Sequence, residues 1–210
     1  MSPANAEQIV YVIDDDEAVR DSLQLLLTSS GFKTRLYADP LHFLAERPQN
    51  RAGCLILDIE LPAISGLHLQ EELIAVGSTL PIIFITGHGD VPTAVQAMKA
   101  GAFEFIEKPF SHAHLLEQIR RAFALDVQKR QQMAREQMLR ERLATLTPRE
   151  REVLEHMVEG KASKVIAAEL GLSQRTIEIY RANIMQKMQS KSVAQLVRML
   201  SGSGVEADQS

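Results

Sequence analysis

An alternation repeated five times over the first 125 residues restricts the fold of this chain more than any other feature. Short strand-like runs, most of them apolar, are each followed by an amphipathic stretch. IVYVID precedes AVRDSLQLLLTSSG, KTRLY precedes DPLHFLAE, CLILD precedes LHLQEELIAVG, PIIFIT precedes VPTAVQAMKAG, and FEFIE precedes SHAHLLEQIRRAF. The short runs have the length of strands, and the longer stretches place apolar residues every three or four positions, as helices do. Strands that are apolar throughout meet water on neither face, which calls for a parallel sheet covered by helices on both sides. Gly31, Gly77 and Gly101 stand where a helix end asks for a left-handed residue.

In such a sheet, polar groups that do chemistry gather beyond the carboxyl ends of the strands. The first strand ends at Asp14 and Asp15, the third at Asp58, the fourth at Thr86 and the fifth near Lys108. All five side chains therefore converge on one crevice. Taken singly, each has an ordinary explanation as a helix cap or surface charge. Their joint placement at successive strand ends does not.

The acid pair after strand one, D-I-E-L-P-A-I-S-G after strand three, T-G-H-G-D after strand four and K-P-F after strand five resemble the receiver domain of bacterial two-component response regulators. The resemblance spans roughly residues 8 to 125. It implies a doubly wound α/β sheet in the strand order 2-1-3-4-5, with Asp58 accepting a phosphoryl group from the phosphohistidine of a sensor histidine kinase. It also implies Mg2+ as cofactor, held directly by Asp15, Asp58 and the backbone carbonyl of Glu60, with Asp14 acting through water. Lys108 then pairs with the phosphoryl oxygens, the Thr86 hydroxyl bonds another, and Phe105 is the aromatic that turns inward as Thr86 moves.

Elementary chemistry agrees with these roles. A carboxylate attacking phosphorus approaches an anion, so it needs a cation and a fixed positive charge nearby. Mg2+ prefers oxygen ligands and keeps part of its water shell for phosphoryl oxygens. Asp16 suits the start of the following helix, where the dipole favours an acid. Phosphatases of the haloacid dehalogenase type also use an aspartate nucleophile, but their D-x-D follows the first strand, and Glu60 does not supply the second aspartate. His112 and His114, two residues apart, fall on different sides of a helix. Neither a hydrolase nor a zinc site is expected, and the chain reads as a regulator, not an enzyme.

The segment from Phe110 to Thr147 contains no Pro or Gly, so the last helix of the first domain could run on for about 50 Å. Its middle, DVQKRQQMAREQ, has the polarity of a solvated linker, while Met138, Leu139, Leu143 and Leu146 leave room for pairing near its end. Beyond it, LTPREREVLEHMVEGKASKVIAAELGLSQRTIEIYRANIMQKM reads as three helices, with SVAQLVRML as a fourth. Thr147, Pro148 and Glu150 make a strong helix start, and Gly171-Leu172-Ser173 joins two helices at helix-turn-helix spacing. This stretch resembles the output domain of the NarL/FixJ class, with a LuxR-type helix-turn-helix. T-I-E-I-Y-R-A-N-I-M resembles the FixJ branch in particular. The expected division is a receiver over residues 8 to 125, a helical linker over 126 to 142, and an all-α four-helix DNA-binding domain over 143 to 203.

Within the helix from about Gln174 to Met188, Ile177, Tyr180, Ile184 and Met188 recur at core spacing. Arg175, Glu178, Ile179, Arg181 and Ala182 are left outward. An outward Ile179 suits a thymine methyl, Glu178 can accept from cytosine, and the arginines can reach guanine or phosphate. A plain surface pair between Glu178 and Arg181 is the competing explanation. Ser173 and Thr176 at the start of the helix complete the expected DNA-contacting set, with Lys187 and Lys191 at its end placed for the phosphate backbone. The position of Glu178 is often Lys in this class, so base contacts are not transferable.

Charge follows the same division. Residues 1 to 125 carry 9 Lys or Arg against 16 Asp or Glu, a net of −7, whereas residues 126 to 210 carry 14 against 11, a net of +3. That asymmetry fits two domains with different partners. No apolar run approaches the roughly 18 residues of a membrane span, the N-terminus lacks the pattern of a secretory signal, and the one cysteine, Cys54, reads as a small buried hydrophobe. A cytoplasmic protein with no membrane partner is expected. The chain reads as a phosphorylation-controlled transcription factor, and the resemblance implies that its phosphorylated form dimerises through the receiver along Val91 to Lys99 and Phe103 to Ile106. It would then bind double-stranded promoter DNA with two half-sites, with RNA polymerase admitted as a further partner. A receiver whose phosphorylation is unused, or C-terminal helices that bind a protein in place of DNA, are the alternatives.

Overall fold

In a computed structural model, the chain is described over residues 7–46, 51–62, 64–87 and 91–201. Ala63, His88, Gly89 and Asp90 of the quoted motifs, and residues 202 and 203 of the expected DNA-binding domain, lie outside the described residues. Strands β1 (Ile9–Ile13), β2 (Lys33–Tyr37), β3 (Gly53–Asp58), β4 (Ile82–Thr86) and β5 (Glu104–Glu107) alternate with helices α1 (Glu17–Ser29), α2 (Pro40–Ala45), α3 (Gly66–Ala75), α4 (Val91–Lys99) and α5 (His112–Ala144). Four further helices follow: α6 (Pro148–Val158), α7 (Ser163–Leu170), α8 (Gln174–Lys187) and α9 (Val193–Ser201). The chain divides into two compact units after Gln131.

The first unit is built on a parallel sheet in the order β2-β1-β3-β4-β5. Successive side chains of a strand point to opposite faces, and here both faces are covered. Tyr11, Ile13, Leu55, Leu57 and Phe84 enter one core with Phe43 and Leu69. Val10, Val12, Cys54, Ile56, Ile83 and Ile85 enter the other with Leu27, Leu115 and Ile119. That is why β1, β3 and β4 read as continuous apolar runs. Edge strand β2 is buried only at intervals and accommodates Lys33 and Arg35. Cys54 is fully buried, and burial pushes its thiol pKa up.

Gly53 has φ +127°, and a Cβ there would lie 1.9 Å from the Ile9 carbonyl oxygen. No other residue fits. The amide of Gly53 donates to Asp126 Oδ2 at 3.0 Å, and Arg130 Nη1 donates to the Arg51 carbonyl at 2.9 Å. Residues 126 to 131, expected to be linker, are therefore part of the first unit. Its packing ties them to the amino ends of the strands, a contact that leaves no periodic trace in so polar a stretch.

The second unit closes a core of Val153, Leu154, Met157, Ile166, Ile177, Ile184, Met188 and Leu196. Leu139 from the last turns of α5, and Leu146 just beyond it, are buried in the same core, with Leu143 packed against it. The sequence leaves room for these leucines, with Met138, to pair two chains. They cover their own domain instead, and only Met138 of that group remains half exposed.

Candidate phosphoacceptor site and DNA-reading helix

β1, β3, β4 and β5 each deliver a polar side chain at the carboxyl edge of the sheet. Asp14, one residue past β1, is 3% exposed. Its Oδ1 accepts the Asp16 amide at 3.0 Å, and its Oδ2 accepts from Lys108 Nζ at 3.1 Å. The same ammonium donates to Asp58 Oδ2 at 2.9 Å, while Asp58 Oδ1 accepts the Glu60 amide at 3.2 Å. One lysine thus serves two carboxylates from separate strands. Burial raises the Asp14 carboxyl pKa above the ordinary aspartate value, outweighing the Lys108 and Asp16 hydrogen bonds that lower it. For Lys108, burial alone would lower the ammonium, but the bonds to Asp58 and Asp14 win and leave it raised.

Asp15 is exposed and, among the described residues, makes no side-chain hydrogen bond or ion pair. Asp16 caps α1, its side chain accepting the Ala18 amide at 2.8 Å. Thr86 is buried at the end of β4, and its carbonyl accepts the Lys108 amide at 2.8 Å, which anchors Lys108 beside β4. Phe105 is half-buried against Phe84, ring centroids 6.4 Å apart.

Lys108, Asp14 and Asp58 are joined directly, with Asp15 and Glu60 following in the same two loops. Among the described residues no three His, Cys, Asp or Glu side chains are grouped so that they could by themselves hold a metal ion. The donors are nonetheless all oxygen, and their negative charge exceeds that of the one lysine. A hard divalent cation that keeps several waters fits such a set.

Gly66, the first residue of α3, carries part of this geometry unnoticed by the reading of polar motifs. A Cβ there would lie 2.3 Å from the Asp58 carbonyl oxygen, and the Gly66 amide donates to the Ile59 carbonyl at 2.9 Å. The helix therefore starts against the backbone of Asp58 itself. The signal was present as the glycine closing D-I-E-L-P-A-I-S-G.

In the second unit, Gly171 ends α7 at φ 66° and Ser173 caps α8, its hydroxyl accepting the Thr176 amide at 3.1 Å. The two hydroxyls of Ser173 and Thr176 also bond each other at 2.7 Å, so both serve the helix start. Ile177, Ile184 and Met188 are buried, with Tyr180 packed against the same core. Arg175, Glu178, Ile179 and Ala182 are exposed, and their i, i+3, i+4, i+7 spacing makes one continuous face. Ile179 is 55% exposed. Glu178 accepts from Gln174 Nε2 at 3.1 Å, an i, i+4 bond, in place of the surface pair with Arg181 that was the competing explanation. Arg181 is half-buried, with Nη1 enclosed and without a hydrogen-bond partner.

Lys187 departs most from expectation. Its Nζ donates to Glu150 Oε2 at 2.6 Å and to the Thr145 carbonyl at 3.1 Å. The Glu150 side chain is 4% exposed and completes a capping box with Thr147. Lys187 is therefore the counter-ion of a buried acid, its ammonium engaged within its own domain. Lys191 is exposed and keeps its outward position.

A parallel sheet in this order, with two acids, a third acid, a hydroxyl and a lysine at its carboxyl edge, defines the receiver class, and the helical unit carries an exposed second helix of helix-turn-helix form. Family models agree: residues 10–120 match the response regulator receiver domain, and residues 144–200 match the bacterial regulatory proteins of the luxR family. The transcriptional regulatory protein FixJ of Azorhizobium caulinodans is 47% identical over 197 residues, covering 93% of each chain. That of Bradyrhizobium diazoefficiens is 44% identical over 199 residues, covering 95% of this chain and 97% of the relative. Among solved structures, the response regulator StyR superposes with a TM-score of 0.86 at 42% identity, over 94% of this chain and 100% of that one. The chain belongs to the response regulators, with a receiver domain followed by a LuxR-family regulatory domain. Among the described residues no helix is long and apolar enough to cross a membrane.

Proposed function

We propose that Asp58 accepts a phosphoryl group from the phosphohistidine of a sensor histidine kinase, and that this charge change promotes a homodimer which binds double-stranded promoter DNA at two half-sites. The ammonium of Lys108, 2.9 Å from Asp58 Oδ2 and 3.1 Å from Asp14 Oδ2, carries the reading. It is the counter-ion that an attacking carboxylate needs against an anionic donor. In the transfer, a carboxylate oxygen of Asp58 bonds to phosphorus and the P–N bond to the donor imidazole breaks, its electron pair staying on nitrogen. Lys108 then exchanges a carboxylate partner for a phosphoryl oxygen. Asp15, Asp58 and the Glu60 carbonyl, with Asp14 through water, would hold Mg2+, which would supply the remaining charge neutralisation. The Thr86 hydroxyl takes another phosphoryl oxygen, and Phe105 follows it inward.

The dimer surface is α4 with β5. Val91, Val95 and Met98 stand 77%, 44% and 44% exposed on α4, an apolar stripe beside half-buried Phe105. In the second unit, Arg175, Glu178, Ile179, Ala182 and Lys191 face DNA, with half-buried Arg181 adjoining them and Ser173 and Thr176 fixing the start of that helix. The protein acts in the cytoplasm, with RNA polymerase as a further partner at the promoter.

Incubation with radiolabelled acetyl phosphate tests the acceptor. Wild type is expected to incorporate label only with Mg2+ present, and Asp58→Asn to incorporate none. Undiminished labelling of Asp58→Asn overturns the assignment.

A further inference from the structure

The backbone between β1 and α1 carries three carboxylates in succession, and its own hydrogen bonds account for how they are aimed. The Asp14 amide donates to the Tyr37 carbonyl at 3.3 Å, continuing the sheet, and the Asp16 carbonyl accepts the Arg20 amide at 3.1 Å, opening the helix. The carbonyls between them, those of Asp14 and Asp15, lie past the end of the strand and before the helix, where a backbone acceptor needs a partner from elsewhere. Both accept from one atom. Nη1 of Arg20 donates to the Asp14 carbonyl at 2.8 Å and to the Asp15 carbonyl at 2.8 Å.

We propose that Arg20 is a positioning residue for the cation side of the phosphoacceptor site, fixing the Asp14–Asp15 peptide so that the two side chains are presented as an oxygen-donor pair. The inference rests on the proposed Mg2+ role of these acids and extends it to a residue one turn into α1. With the two peptide planes clamped, the Cα–Cβ directions of Asp14 and Asp15 follow. One carboxylate reaches inward to Lys108, and the other is held at the surface, exposed and without a protein partner among the described residues.

Arginine suits the task for two reasons. Its guanidinium stays protonated at every accessible pH and donates in a fixed fork, so the clamp is not released by titration. Its bonds also go to carbonyls, not to carboxylates. The positive charge therefore offsets the repulsion among Asp14, Asp15 and Asp16 without occupying the oxygens a cation needs. Lys108 does the reverse, covering carboxylate oxygens until something displaces it.

The test uses the full chain as wild type, Arg20→Ala and Arg20→Lys. Mg2+ binding is measured by calorimetry without a phosphodonor, alongside labelling by acetyl phosphate across a Mg2+ series. For Arg20→Ala, the Mg2+ dissociation constant is expected to rise about ten-fold, the scale on which partners that orient metal ligands act, and the labelling lost at limiting Mg2+ to be recovered as Mg2+ is raised. Arg20→Lys keeps the charge on a shorter reach and is expected to fall between the two. A thermal melt accompanies each variant. Wild-type Mg2+ affinity in Arg20→Ala, whatever its melting temperature, overturns the proposal, and if that variant does not fold, wild-type affinity in Arg20→Lys overturns it equally. Wild type that labels at Asp58 but ignores Mg2+ removes instead the cation reading on which the proposal stands.

Discussion

Lys108 has one ammonium for two carboxylates, and Asp15 adds a third negative charge with no protein partner among the described residues. Such crowding is costly in the resting protein, and burial, which raises the Asp14 carboxyl, marks where the cost falls. Asp14→Asn keeps the shape and the acceptor for the Asp16 amide while removing that charge. It is expected to stabilise the receiver by about 1 kcal/mol, raising the melting temperature by a few degrees, and to slow labelling; a lowered melting temperature would show that the Lys108 bond outweighs the crowding. On α8, Ile179 can touch a base but cannot neutralise a phosphate. Ile179→Ala should cost about 1 kcal/mol on the preferred operator and little on a scrambled duplex. Lys191→Ala should weaken both alike and reduce the salt slope by roughly one unit. Equal losses on both duplexes for both variants would place the wrong face in the groove. Residues such as Asp14, Asp58, Thr86, Lys108 and Ile179 were legible because strand ends and helix periodicity fix their placement. Gly66 and Arg20 were not read, since they act on backbone carbonyls, and a contact to a carbonyl imposes no residue type on its partner.

At the scale of elements, α6 and α8 are locked by a bond that the sequence placed elsewhere. Thr147, Pro148 and Glu150 announced the start of α6, and the capping box is there. What no periodicity could report is that Glu150 is also buried against Lys187 from the far end of α8, because a basic residue in a last turn looks the same whether it faces a phosphate or an acid. The helices themselves were legible from apolar spacing. The work of Leu139 and Leu146, and of Asp126 on Gly53, depended on which unit the ends of α5 join. The hydrogen bond from Lys187, then the Thr147 amide, holds the Glu150 carboxyl below its ordinary pKa of 4.5. A depressed folded value stabilises the fold above the unfolded pKa, and the contribution disappears as pH falls through the folded value. Melting temperature of the helical domain should therefore fall more steeply below about pH 4.5 in wild type than in Glu150→Gln. Lys187→Ala should cost about 2 kcal/mol at pH 7, from a charged hydrogen bond lost to a buried acid. If instead Lys187→Ala melts as wild type and loses DNA affinity at every sequence with a smaller salt slope, the lysine serves phosphate after all.

At the scale of the molecule, phosphate must be turned into DNA affinity, and two half-sites make dimerisation a sufficient device. Joining two DNA-binding domains converts the second contact into an intramolecular one, gaining affinity without any new interface to DNA. On that account the receiver contributes a dimer and the helical unit contributes the reading, so the helical unit alone should bind a half-site without phosphate. Where that fragment begins matters. Leu139 and Leu146, each 4% exposed, belong to its core, so a chain starting at Gln132 retains both, whereas one starting at Leu143 loses Leu139 and about 2 kcal/mol of apolar burial. The longer fragment is expected to melt higher and to bind a half-site duplex with the same affinity whether or not acetyl phosphate is present. Full-length protein treated with acetyl phosphate and Mg2+ should sediment as a dimer and prefer the two-half-site operator, and Val95→Asp on the apolar stripe of α4 should abolish both changes while leaving Asp58 labelled. A folded fragment from Gln132 that binds no DNA, beside intact phosphorylated protein that does, would mean that the receiver supplies more than a second copy of the reading helix.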